Sequence, residues 1–363
     1  MNAPPLLSAR PVITAWSAVS PFGLGRQSFV DGVSTAKPTV APLDRELWPG
    51  PATTACLVPD FSAKDVLGRK GTRSMDRVTG LAVSTVRLVL SDAEGNQVVE
   101  TGTDTALVLG TTMGSAQSAM DFARESSAAE LPYQVDPGRM LNTVMNSAAG
   151  QCAIWHQLRG PNATLAGGDT AGLLAMDYAR RLLDNNRARK VLVGAAEEYS
   201  SVRAWLHHHY GGTSTLGEGC AFFLVEPLAG IGEGREPLAE VLAIGSRVYL
   251  DQDPRATLES LVRGALSSVP AAPGDVWAAS GSMTGIEGDH EQAVLRRMFG
   301  DDAVQRLPAT DLLGDTGAAS SAFRIATVLS VARRSPEAAG KLAVVTAVDN
   351  HGVVACALLR LAR

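Results

Sequence analysis

The sequence predicts an α/β protein of two related halves, each a set of largely buried strands covered by helices. Three observations carry that prediction. Strand and helix signals alternate along the chain. A glycine–aspartate–threonine turn opens a helix twice, at Gly168-Asp169-Thr170 and at Gly314-Asp315-Thr316. Each turn is followed by the same order of elements, as an internal duplication requires. The chain has 363 residues, 45% hydrophobic and 19% charged, with 36 glycines. It is long enough for more than one core and has the composition of a packed protein.

Pro11-Val-Ile-Thr-Ala-Trp is a first strand, and Ser17–Gly25 a loop punctuated by glycine and proline. A polar segment around Pro38–Pro59 precedes a helix near Asp76–Asp92, with apolar residues at helical spacing. Thr105-Ala-Leu-Val-Leu-Gly is a short buried strand, and Gly114–Arg124 a helix. Thr164-Leu-Ala ends a strand, Gly167-Gly168 turns, and Asp169 is placed as the N-cap of a helix over Thr170–Asp184. Lys190-Val-Leu-Val-Gly-Ala-Ala-Glu-Glu is a further buried strand. A surface loop then carries His207, His208 and His209, and Gly217-Glu-Gly-Cys-Ala-Phe-Phe-Leu-Val-Glu-Pro leads into the next strand.

The order recurs. Val276-Trp-Ala-Ala-Ser-Gly matches Leu107-Val-Leu-Gly, and Asp315 opens a helix over Gly317–Ala332 as Asp169 opens its own. Lys341-Leu-Ala-Val-Val-Thr-Ala-Val-Asp mirrors the strand at Lys190, and Gly352-Val-Val-Ala-Cys-Ala-Leu-Leu mirrors the one at Gly219. The halves are expected at residues 1–230 and 231–363, around a turn-rich joint near 228–240.

A net charge of −5 offers no footprint for nucleic acid, although a local basic patch could still meet an acidic protein. No apolar run is long enough to span a bilayer, and the N-terminus lacks a signal peptide's basic head and apolar stretch. Cys56, Cys152, Cys220 and Cys356 are scattered, with no CxxC pair, which fits buried thiols in a reducing cytoplasm. Adjacent histidines cannot converge on one ion, so His207–His209 are not read as a metal site. Cys152 is expected in the core, and His351 as a structural histidine near Asp349.

Several stretches resemble the β-ketoacyl synthase family. They are Val12-Ile-Thr-Ala-Trp-Ser-Ala-Val-Ser-Pro-Phe-Gly-Leu-Gly, Met145-Asn-Ser-Ala-Ala-Gly-Gln, Leu158-Arg-Gly-Pro-Asn-Ala-Thr, Gly172-Leu-Leu-Ala-Met and Gly194-Ala-Ala-Glu-Glu. The resemblance implies the thiolase fold, with two βαβαβαββ halves stacked as α-β-α-β-α layers. It also implies a dimer in which the strand before the nucleophile pairs across the interface.

Decarboxylating condensation needs a thiol to carry the acyl chain and two histidines to stabilise the enolate. Aligning on Gly172 puts Asp169 at the family's cysteine. Ala279-Ser280-Gly281-Ser282-Met283-Thr284 puts Ser280 at the first histidine, and Asp315 stands at the second. Thr310 lies near the family's lysine, and Asp349-Asn350-His351-Gly352 replaces its Gly-Phe-Gly-Gly loop. A carboxylate cannot hold a durable thioester, so no catalytic residue is assigned.

A ketosynthase-like chain without its nucleophile resembles the chain-length factors of type II polyketide synthases. That resemblance implies a heterodimer with an active ketosynthase, exchange with an acyl carrier protein, and no cofactor or metal. It places tunnel-facing positions on the helix after Gly114, at Ala116, Ala119, Met120 and Ala123, where three alanines leave room for a long chain such as a polyene. Two other readings stay open: a stand-alone acyl-thioester hydrolase or acyltransferase, and a homodimeric acyl-binding protein.

Overall fold

The computed structural model describes residues 10–250, 253–270, 272–282, 285–308 and 310–362. Residues 1–9, read above for a targeting signal, and Met283 and Thr284 of the serine-bearing stretch lie outside the described residues.

The first half contributes β1 (Pro11–Ser20), β2 (Thr105–Thr111), β3 (Asn162–Ala166), β4 (Lys190–Glu197) and β5 (Gly219–Pro227). The second contributes β6 (Ala239–Val248), β7 (Val276–Ser280), β8 (Leu342–Asp349) and β9 (Val353–Leu361). The first half runs β3-β2-β4-β5-β1 across the sheet and the second β7-β8-β9-β6. Strand directions repeat as well. β2 and β4 are parallel, as are β7 and β8, while β4–β5 and β8–β9 are antiparallel. A short antiparallel ladder, Val12 with Glu240 and Ile13 with Ala239, joins the halves. The duplication expected from the sequence is therefore present in strand order and direction. The second half departs in one place: where β3 would have its counterpart, Thr310–Leu313 forms a 3-10 turn.

The long helices are α1 (Gly25–Thr35), α2 (Arg77–Leu90), α3 (Ala116–Ala128), α4 (Ser147–His156), α5 (Ala171–Asp184), α6 (Ser201–His209), α7 (Arg255–Ser267), α8 (Gly285–Phe299) and α9 (Ser320–Ala332). Period-two alternation in the strands sorts them into layers. Along β4, Val191, Val193 and Ala195 face the central core with Leu173 and Met176 of α5 and Phe323 and Ala326 of α9. The intervening Leu192 and Ala196 face outward onto Leu81 and Val86 of α2. In the second half, Val344 and Val348 of β8 meet Leu258 and Val262 of α7. Each valine, leucine, methionine or phenylalanine among them contributes about 1.5–3 kcal/mol when taken from water. The result is the five-layer thiolase fold, with α5 and α9 sandwiched between the two halves. Gly172 allows that central crossing, since a Cβ there would lie 2.7 Å from Ser321 Oγ and 3.0 Å from the Ala322 nitrogen.

Several local expectations are corrected. β1 runs through to Ser20, because Ala18 and Val19 are wholly buried between neighbours. His207–His209 lie on helix α6, not in a loop. Ser200 caps that helix by accepting the Arg203 N–H, and its C-terminal turn favours basic side chains. Asp169 is not an N-cap. A 3-10 turn over Gly168–Thr170 precedes α5, Asp169 sits inside it, and its side chain accepts no capping bond. Asp315 comes nearer to the expected role, since its Oδ1 accepts the Gly317 N–H at 3.0 Å. Here too a 3-10 turn, Gly317–Ala319, delays the α-helix to Ser320. Among the described residues, no helix is long and apolar enough to cross a membrane.

Candidate functional site

The carboxyl ends of β2, β4 and β8 converge on a cleft of about 680 Å³, the location where open α/β sheets place their ligands. Thr112, Met113 and Gly114 after β2 line it, as do Glu197 and Glu198 at the end of β4. The turns before α5 and α9 add Asp169 and Asp315, and the β8–β9 loop adds Asp349, Asn350 and His351. Arg203 and His207 close it from α6.

The polar groups are tied together. Asp315 Oδ1 accepts from Arg203 at 3.3 Å and Oδ2 from the Ser214 hydroxyl at 3.1 Å. Ser214 Oγ is also 3.3 Å from His207 Nε2. Arg203 donates to the carbonyl oxygens of Gly217 at 2.7 Å and Asp315 at 2.9 Å, and lies 3.8 Å from Glu197. Glu197 accepts the Ala318 N–H at 3.2 Å and the Thr112 hydroxyl. Burial, followed by the charge of Asp315 and more weakly that of Asp349, holds the Asp169 carboxyl well above the usual range, against the pull of Arg324 and Arg203.

Of the three residues that the resemblance aligned with the family's cysteine and histidines, Asp169 and Asp315 share the cleft. The third does not. Ser280 is buried at the end of β7, paired with Val345, and does not line it. Of the tunnel positions, Ala116 lines the cleft, whereas Ala119, Met120 and Ala123 lie exposed on the surface of α3. Asp349 contacts His351 through the backbone N–H, not through the imidazole. The four cysteines are buried and free, and none lines the cleft. Among the described residues, no His, Cys, Asp and Glu group could hold a metal.

Residue-by-residue reasoning missed Arg203 and Ser214, which no motif marks. The pair Glu197-Glu198 was visible, since two acids closing an apolar strand point to buried carboxylates with a purpose. Glu198 is 2% exposed, accepts from Ser115 Oγ at 2.8 Å and the Val78 N–H at 3.1 Å, and is pushed up to about 8 by burial and then by Asp76. Its unfolded counterpart ionises near pH 4. The folded chain therefore binds the extra proton, and this contribution to stability declines as pH rises from about 4 to 8. Glu198→Gln is expected to match the wild type near pH 4.5 and exceed it at pH 8, flattening the decline by up to about 1.4 kcal/mol per pH unit. Urea midpoints across that range check this, and identical pH slopes would refute it.

The layers and the cleft at the carboxyl ends define a thiolase-fold protein with a carboxylate, Asp169, in the turn before α5. A family model described as beta-ketoacyl synthase, N-terminal domain, matches residues 9–226. The chain belongs to the β-ketoacyl synthase family. It is similar to 3-oxoacyl-[acyl-carrier-protein] synthase 2 of Coxiella burnetii, at 26% identity over 89% of this chain and 85% of that protein. It is more similar to a chain of the solved ishigamide ketosynthase/chain length factor, with 44% identity, a TM-score of 0.94, and coverage of 98% and 100% of the two chains. The fold alone is shared with a type II polyketide synthase ketosynthase solved with its acyl-carrier protein, AntDE:AntF, at 16% identity and a TM-score of 0.78 over 98% and 99%.

Proposed function

We propose that this chain is the catalytically silent, chain-length-setting subunit of a type II polyketide synthase, paired with an active ketosynthase. One observation carries the reading: the turn before α5 presents Asp169 among other carboxylates, and no thiol reaches the cleft. Such a site cannot carry an acyl chain through condensation, so the chemistry belongs to a partner.

The surface supports this. β3 forms the free edge of the sheet, with its residues half-buried or exposed, and an open edge is a template for another strand. In the chain segment between α3 and β3, Tyr133, Met140, Leu141, Val144 and Ile154 are exposed, and exposed apolar area of this kind is typical of an interface. Lys64, Arg69, Lys70 and Arg73 form an exposed basic stretch suited to an acidic carrier protein.

Co-expression with a cognate ketosynthase tests the reading. A stable one-to-one complex is expected, with the ketosynthase inactive alone. Independent behaviour of the two chains, or thioester turnover by this chain alone that Asp169→Ala abolishes, would overturn it. Within the complex, Ala116→Phe is expected to shorten the product by one or more extension units, read by mass spectrometry. Unshortened products from an intact complex would remove α3 from the tunnel wall.

A further inference from the structure

The silent-subunit reading leaves Asp349 without a role, yet its geometry is specific. It ends β8, is 5% exposed, and its two oxygens reach two separate backbone donors. Oδ2 accepts the Asp169 N–H at 3.1 Å, and Oδ1 accepts the His351 N–H at 2.7 Å. The first donor opens the turn into α5, and the second lies on the β8–β9 loop. The fit is close. Gly168 has φ +47°, and a Cβ there would lie 1.9 Å from Asp349 Oδ2, so only glycine leaves room for this carboxylate. The Tyr249 hydroxyl at 2.8 Å and the Gly352 N–H at 3.1 Å both donate to the Asp349 carbonyl oxygen and pin the loop from its other side.

Acyl transfer from a thioester depends on free N–H donors aimed at the oxygen where charge develops. At the position of the lost nucleophile, that donor is already taken by an anion of the chain itself. The surroundings do not favour a second anion, because Asp315 lines the same cleft and Arg203 is committed to Glu197, Asp315 and backbone carbonyls. We propose that Asp349 is an internal lock: its carboxylate fills the place where this half would hold an acyl carbonyl and closes the cleft to carboxylate-bearing acyl units such as a malonyl thioester. This rests on the silent-subunit reading and deepens it, since the lock leaves extender units to the partner's site. Asp349 is on this account a positioning residue that acts through the backbone donors it occupies.

Chemical rescue tests the lock on the full-length chain. Asp349→Ala vacates the place, and formate serves as the probe carboxylate. A saturable rise in melting temperature of about 1–3 °C with formate is expected for D349A and not for the wild type. A folded D349A with no saturable response, or a wild type that responds equally, overturns the proposal. Should D349A fail to fold, Asp349→Asn keeps the shape and removes the charge. Amide hydrogen exchange at 169 or 351 should then be about tenfold faster than in the wild type, and unchanged exchange at both overturns the proposal. Neither readout involves a partner. Formate rescue in a chain that does not pair with a ketosynthase would therefore sustain the lock while removing the functional reading.

Discussion

Replacing Glu218 by alanine is expected to cost about 3–5 kcal/mol, the penalty for breaking a buried ion pair from one side. Glu218 is wholly buried just before β5. It accepts the Val58 N–H at 2.9 Å and the Tyr199 N–H at 3.1 Å, and Arg77 Nε lies 2.6 Å from its Oε2 with a second guanidinium nitrogen on Oε1. Arg77 is held between Trp48 and Phe61 by cation–π contacts at 5.2 and 5.6 Å. Truncation strands a guanidinium and two buried N–H groups at once. Against a total stability of about 5–15 kcal/mol, that is a large share, and the urea midpoint should fall accordingly. A loss below about 1 kcal/mol, the range of a surface pair, would show that the network contributes little.

The second large effect is expected at the free edge of the sheet. Odd-numbered residues of β3 face β2: the Pro161 carbonyl accepts the Leu107 N–H at 2.9 Å, and the Gly167 N–H reaches Thr111 at 3.2 Å. Alternation then turns the Thr164 backbone toward the open edge. Thr164→Pro removes an outward N–H and projects a ring at that edge while leaving the internal ladder intact. If β3 pairs with a ketosynthase strand, the complex should weaken by at least about tenfold, and the melting curve of the isolated chain should change little. Size-exclusion and calorimetric titration of the co-purified pair read the first, and thermal melts read the second. A complex of unchanged affinity would place the interface elsewhere.

How much of this was legible beforehand differs element by element. The alternation of Val191, Leu192 and Val193 is a property of consecutive residues, so β4 and its two buried faces could be read directly. The same holds for the doubled Gly-Asp-Thr turn and for the absence of cysteine before Gly172. The helix α6 was missed because Ser200-Ser201 reads equally as a turn or as a cap, and three histidines resemble a polar loop. The cap assigned to Asp169 failed for a related reason. A single 3-10 turn shifts the helix start by a few residues, and that shift depends on the left-handed Gly168, which accommodates Asp349.

The sequence by itself determined that the chain is a duplicated α/β protein of ketosynthase type, and that an aspartate, not a cysteine, stands three residues before Gly172. Both follow from residue identity and local order. Only the tertiary structure decided which groups meet around Asp169. Asp349 meets the Asp169 backbone across 180 residues, Arg203 meets Asp315 across 112, and Arg77 meets Glu218 across 141. Stacking the two halves brings the ends of β4 and β8 to one cleft, and polar contacts made across that stack leave no periodic trace in the chain. Asp169 was legible as the residue in the turn before α5. That its N–H is occupied by a carboxylate from the other half was not.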